Sequence, residues 1–345
     1  MRATRPFRWW PGRLNGRQVN LAIEAALVLA VGSGLVSWSV GDRWNGWATT
    51  LHGITGLSLL LLIPAKVRGP VRRGLRRARP SRWLSSAFGV LVLATLALGI
   101  VHATGLWFGH GPWSALWTHE LFAFSTIPLL LWHLASRPVR PKARDVDRRA
   151  VLRLGATSGA AAGIWLVQRP LAAVAGLAGG HRRPTGSHEV ASHRPLEMPA
   201  VIWFDDHRPA DTEAATWELR IQGRSVSIAE LWELAGPVDA RLDCTGGWWS
   251  EQTWNAVRLS ALVREPVGRS IRVVSETGYD RRFPLGDLAD LYLAVGYEGR
   301  PLRASHGAPV RLVVPGRRGP EWVKWVVSVE DDDLPAWLQL PLPLS

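Results

Sequence analysis

The sequence predicts an α-helical membrane bundle followed by an α+β domain, and three observations carry that expectation. Five apolar stretches, near 20–40, 48–65, 83–107, 117–135 and 151–178, each approach the ~20 residues that a helix needs to cross the hydrocarbon core. Charge divides where they end: residues 1–180 carry a net +17 and residues 181–345 a net −4. Beyond residue 195, short strand-like and helical segments alternate with Gly and Pro turns, as in an α+β domain. A nucleic-acid protein would concentrate its basic residues on the folded domain. Here they flank apolar runs, which argues for membrane lipid as the partner and against nucleic acid.

The flanks orient the spans. Residues 1–17 hold five Arg and no acid, residues 66–82 eight basic residues and no acid, and residues 137–149 six basic residues and two acids. The connectors 41–50 and 105–117 hold only Asp42 and Arg43. Lys and Arg in short loops stay cytoplasmic, so the amino terminus is expected inside and both connectors outside. Trp38, Trp44, Trp47, Trp107, Trp113 and Trp117 cluster near the outer boundary as an interfacial belt. Five spans then place residues 181–345 outside the cell membrane. The expected division is a four-helix membrane domain over 1–149, a fifth span over 150–180, a linker over 181–194 and a soluble domain over 195–345. Asp147-Arg-Arg-Ala-Val-Leu-Arg-Leu-Gly155, ahead of an Ala/Gly-rich run, resembles a twin-arginine export signal, although Arg169 and Pro170 interrupt that run.

Ionisable residues inside spans are costly and mark function. His52 opens the second span, His102 lies near the outer end of the third, and His119 and His133 bracket the fourth. The 14 residues from His119 to His133 cover about 21 Å of helix and nearly four turns, so both point to one side near opposite faces. Imidazole is a regular axial ligand of haem iron, and the arrangement looks like the four-helix cytochrome b anchors. The expected cofactor is one outer haem b held by His52 and His119, with His102 as a substitute partner and His133 serving any inner haem. Lys66 stands 14 residues after His52, where a two-haem anchor would present a second histidine.

In the second half, strand-like runs fall at Trp217–Gln222, Ala240–Cys244, Ile271–Ser275, Val310–Val314 and Val323–Val329. Short helices are expected at Ile228–Ala235, Leu259–Arg264 and Leu288–Leu293, with Ser227 and Glu230 at capping-box spacing for the first. Cys244 is the only cysteine, so no intramolecular disulfide forms. It stands in Arg241-Leu-Asp-Cys-Thr-Gly-Gly-Trp-Trp-Ser250, and Ser305-His-Gly-Ala-Pro-Val-Arg-Leu-Val-Val-Pro-Gly-Arg-Arg-Gly319 with Val323-Lys-Trp325 follows. These segments, over about 195–333, resemble the molybdopterin domain of the sulfite oxidase superfamily.

The resemblance implies that the Cys244 thiolate ligates molybdenum and that the later segment holds the pterin. Soft metals favour thiolate, Gly246 and Gly247 lack side chains and let the cofactor approach the backbone, and Thr245 beside them is a further cofactor-binding candidate. The cofactor phosphate calls for cations, which Arg311 and Lys324 supply, with His306 and Gly307 on the same loop. Arg317 and Arg318 are either further cationic helpers or solvated loop residues. Asp206, His207 and Arg208 lie where family members contribute to the site, and Tyr279 and Arg281 are similar candidates. Trp248, Trp249 and Trp254 either wall the pocket or pack the core.

At the position where sulfite oxidases present a substrate tyrosine this chain has Val295, with Tyr292 and Tyr297 out of register, and the carboxyl-terminal dimerisation domain is missing. The pattern is therefore closer to the bacterial sulfoxide-reductase-like branch, served by a haem membrane protein. The expected function is an extracytoplasmic molybdenum oxidoreductase exchanging electrons through the membrane haem with quinone, quinol or another membrane electron carrier and removing an oxo group from a small-molecule substrate. Oxidation of sulfite or a similar substrate is the reverse alternative. A redox-inert receptor or scaffold is a third reading.

Overall fold

The computed structural model describes residues 14–39, 42–71, 81–107, 109, 114–200 and 217–339. Two compact units divide between Pro184 and Thr185, apart from the short stretch 38–45, which groups with the second unit.

The first unit contains helices α1 (Gly16–Ser39), α2 (Asp42–Lys66), α3 (Arg82–Thr104), α4 (Ala115–Ser136) and α5 (Arg148–Val174). Four segments, Gly16–Ser39, Gly46–Lys66, Arg82–Thr104 and Arg148–Val174, are long and apolar enough to cross a membrane. The sequence led us to expect about five. Helix α4 has the length, at 22 residues, but His119, Glu120 and His133 reduce its apolar character. Helix starts follow local chemistry: the Ser114 hydroxyl accepts from the Trp117 N–H and the Asp147 carboxylate from the Ala150 N–H. Helix α5 runs unbroken through Arg169 and Pro170. Between the helices, Ala26, Leu27, Leu59, Phe88 and Leu130 form a buried apolar layer.

The second unit is built from two sheets. The larger runs β1 (His188–Glu189), β5 (Trp248–Arg258), β8 (Tyr292–Tyr297), β10 (Arg311–Val313), with β4 (Gly236–Asp243) paired to β5 and β9 (Arg300–Pro301) to β8. The smaller runs β3 (Arg224–Val226), β2 (Leu219–Ile221), β11 (Val326–Asp332), β6 (Ser270–Ser275), β7 (Asp280–Pro284). Short helices α6 (Ile228–Leu234) and α7 (Leu259–Leu262) pack on them. The Ser227 hydroxyl caps α6 by accepting from the Glu230 N–H, but the Glu230 carboxylate turns to Arg224, so only half the capping box forms.

Two expectations fail here. The helix anticipated at Leu288–Leu293 is a 3₁₀ segment, Leu285–Asp290, leading into strand β8. Strand β8 is paired on both edges and buried, so its residues form a continuous apolar run whose period does not distinguish helix from strand. The stretch 181–194 is not a free linker. Arg182 donates to the Ala103 carbonyl at the end of α3, while β1 pairs with β5 and the Ala191 carbonyl accepts from Gln252.

Candidate functional site

Cys244 sits at the turn between β4 and β5, which pair from Gly236↔Ala256 to Asp243↔Trp249. The turn closes with Cys244 N–H donating to the Trp248 carbonyl at 2.8 Å, and Gly247 occupies a left-handed conformation, φ 84°, that suits glycine. The thiol is 8% exposed, and the Gly246 N–H approaches its Sγ at 3.4 Å. Burial pushes the thiol pKa up; Gly246 N–H, Arg318 and Lys324 pull it back, and Asp243 opposes them.

Behind the cysteine lies a buried charge pair, Arg318 with Asp243. Arg318 is only 3% exposed and donates to the Asp243 carboxylate at 3.1 Å. The same carboxylate accepts from the Thr185 hydroxyl at 2.8 Å and the Ser187 hydroxyl at 2.7 Å. Arg318 is buried because the segment after β10 folds back along β4, where an isolated bridge joins Asp243 to Arg318. Arg317 remains half-exposed, paired with Glu321 and Asp287.

The loop before β10 brings the remaining candidates together. Gly307 has φ 102°, and a Cβ there would lie 3.0 Å from Lys324 Cβ and 3.1 Å from Arg311 Cβ, so glycine lets the three segments meet. Arg311 donates to the His306 carbonyl at 3.0 Å, and its guanidinium lies over Trp254 and Trp322, 5.1 and 5.5 Å from their ring centres. Burial lowers its pKa to about 10, opposed by Cys244 and Tyr297. Lys324 Nζ donates to the Ser305 carbonyl at 2.8 Å.

His306 differs from its expected role. Its Nε2 lies 3.0 Å from the Met198 carbonyl and its Nδ1 3.4 Å from the Tyr297 hydroxyl, so both ring nitrogens face protein. Burial, then Arg311, pushes its pKa down to about 4. It acts as a brace for the loop. Trp254 is core, donating to the Ala240 carbonyl, and Trp249 lies under Arg241. Tyr279 and Arg281 bond to each other and to the Pro320 carbonyl, docking the β6–β7 turn on the segment that carries Arg318. Thr245 is buried beside Cys244. Asp206, His207 and Arg208 lie outside the described residues.

Three buried donors, Trp248 Nε1, Arg311 Nε and Arg318 Nε, have no hydrogen-bond partner within the described protein. Unmet buried donors are costly, and beside a buried thiol they suit an acceptor-rich anionic cofactor.

In the helical unit the structure brings His52 and His119 together, with ring centres 5.9 Å apart and planes at 87°. His52 Nδ1 is 2.8 Å from the Ala30 carbonyl, and His119 Nδ1 is 2.8 Å from the Thr95 carbonyl. A carbonyl only accepts, so each Nδ1 carries the hydrogen and each Nε2 keeps its lone pair. Gly34 and Gly99, which the sequence reading missed, make room: a Cβ at either would come within 3.0 or 3.1 Å of an imidazole. His102 sits in the last turn of α3. His133 stacks on Phe88 at 5.5 Å, and Lys66 donates to Asn20 at 2.6 Å.

Comparison with known proteins bears on the second unit alone. Residues 207–335 match the family model described as oxidoreductase molybdopterin binding domain. The mitochondrial sulfite oxidases of Rattus norvegicus and Mus musculus are each 43% identical to this chain over 63 residues, covering 16% of this chain and 12% of theirs. The crystal structure of the sulfane dehydrogenase SoxCD from Paracoccus pantotrophus is similar with 25% identity and a TM-score of 0.34, over 36% of this chain and 40% of that one. The second unit is thus an α+β molybdopterin-binding domain of the sulfite oxidase type, and the chain carries an oxidoreductase domain.

Proposed function

We propose that the chain is a membrane-bound molybdenum oxidoreductase that passes electrons between a haem b and quinone pool in the membrane and an extracytoplasmic molybdopterin site, where a small oxo substrate such as a sulfoxide is reduced. The observation that carries the catalytic half is Cys244 Sγ, buried on a glycine turn with cationic side chains converging behind it.

Molybdenum held by molybdopterin supplies two-electron oxo chemistry at such a site, and the residues present fit it. Cys244 is the thiolate donor, and its proton must leave before it can ligate. The Gly246 N–H, Arg318 and Lys324 favour that loss. Arg311 and Lys324 would hold anionic oxygen, with the Arg311 guanidinium packed against the neighbouring Trp254 and Trp322 indoles. Trp248, Trp254 and Trp322 keep water away from the thiol's surroundings. Val295 is buried in β8, and the Tyr297 hydroxyl is occupied by Arg303 N–H and His306. No tyrosine hydroxyl therefore stands at the register used for sulfite, which favours the oxo-substrate reading.

Haem b supplies one-electron transfer, and the His52–His119 pair suits it. With metal–nitrogen bonds of about 2 Å, two imidazoles sharing one iron have ring centres about 6 Å apart. Leu59, Phe88 and Leu130 fill the layer toward Lys66 and His133, which supports a single haem.

Metal analysis of the purified protein, with visible spectroscopy and a substrate screen of sulfoxides and sulfite using reduced and oxidised dyes, tests the reading. The expected result is one molybdenum and one haem per chain with dye-dependent sulfoxide reduction. Sulfite oxidation without sulfoxide reduction would reverse the direction. Protein free of both metals would make it a scaffold.

A further inference from the structure

We infer that the end of the helical unit bearing Lys66 and His133 is a binding site for a quinone headgroup. The inference deepens the proposed membrane electron transfer, since it names where the carrier docks. Four helices contribute. Helix α1 supplies Asn20 and, one turn on, Glu24; α2 supplies Lys66; α3 supplies Phe88; α4 supplies His133. Lys66 Nζ donates to Asn20 Oδ1 at 2.6 Å and interacts electrostatically with Glu24 and with His133. Lys66 ends its span and His133 lies in the last turn of α4, so both stand at the boundary of the apolar segments, where a polar headgroup on a lipid-soluble tail also settles.

His133 is the residue the internal contacts do not explain. Its ring stacks on Phe88 with planes 29° apart, and its Nδ1 is buried without a hydrogen-bond partner within the described protein. No second imidazole faces it as a haem partner among the described ring contacts, because the 14-residue register on α2 presents Lys66, which is engaged with Asn20.

A quinone matches the chemistry on offer. It is a flat ring with a carbonyl at each end, so it needs a donor at each carbonyl and an aromatic or apolar slot between. The His133 ring nitrogen and the Lys66 ammonium are donors on different helices, and Phe88 is the flat neighbour. Glu24 and Asn20 supply acceptors for the hydroxyls of the quinol form. All of Asn20, Glu24, Lys66 and His133 are half-buried, as a site entered from the lipid requires.

The test uses full-length protein in nanodiscs titrated with decylubiquinone, read by quenching of tryptophan fluorescence, Trp132 lying 6.3 Å from His133. Saturable binding is expected, weakened at least tenfold by His133→Leu and by Lys66→Met in variants of unchanged helicity. As a measurement needing no variant, decylubiquinone should protect His133 from diethylpyrocarbonate. Partition without saturation, variants that bind like the parent, or no protection of His133 each overturns the site. Because the readout needs no haem, saturable binding by protein without haem absorbance keeps this site and removes the haem, while a haem protein that does not bind does the reverse.

Discussion

The Arg318 guanidinium donates to the Asp243 carboxylate at 3.1 Å, both side chains being almost fully buried, one residue ahead of Cys244. Asp243 also accepts two hydroxyl hydrogens, from Thr185 and Ser187. The pair thus ties β4, the segment after β10 and the start of the second unit into one anchor for the cysteine turn. Removing one partner leaves a buried charge uncompensated, which costs about 3–5 kcal/mol. Arg318→Met should lower the unfolding midpoint of the second unit strongly, and adding Asp243→Leu should recover much of the loss. Chemical denaturation of the single and double variants checks this, and an additive double variant would show that the two residues do not act as a pair.

Cys244→Ser should abolish molybdenum-dependent activity while leaving the fold intact, because serine keeps the size and loses the soft donor. Molybdenum content and circular dichroism decide it. A fully active, molybdenum-replete serine variant would remove Cys244 from the site.

His306 makes stability depend on pH in a stated window. Its folded pKa, pushed down to about 4 by burial and Arg311, lies below the unfolded value of about 6.5. Between these values the unfolded chain binds more protons, so stability is present above about pH 6.5 and is lost as pH falls toward 4. The shift corresponds to about 3 kcal/mol at most. Unfolding followed from pH 7 to 4 should show this slope, and His306→Gln should flatten it.

His52→Ala and His119→Ala should each remove the visible absorbance of a low-spin haem, since either loss breaks the axial pair. His133→Ala should leave that spectrum in place. Should the two outer variants keep the full spectrum while His133→Ala loses it, the ligand pairing is wrong and the haem lies at the opposite end.

A reporter fused after residue 345 should be active only outside the cytoplasm if all five helices cross. The three basic segments carry nineteen Lys and Arg against one in the two connectors, and that imbalance sets the orientation. Cytoplasmic activity would show that the fifth segment, α5 with its Arg169 and Pro170, does not cross, and would move the catalytic site inside.

The two-part architecture was legible in the chain because apolar length and charge placement are local properties. The same holds for Cys244 on its glycine turn and for Arg311, Gly307 and Lys324, whose spacing survives folding. Helix period and alternation place His52 and His119 toward the same boundary, and their ring centres stand 5.9 Å apart. What only the tertiary structure decided concerns residues whose environment comes from distant segments. Arg318 looks like one of two solvated loop arginines until Asp243, 75 positions earlier, lies against it. His306 reads as a cofactor donor until the Met198 carbonyl takes its Nε2. Residues 185–194 look like a polar linker because their partners, Asp243 and Gln252, belong to strands that follow. Sequence pattern reports which groups prefer burial or water; which buried group meets which is set by the packing of strands far apart in the chain.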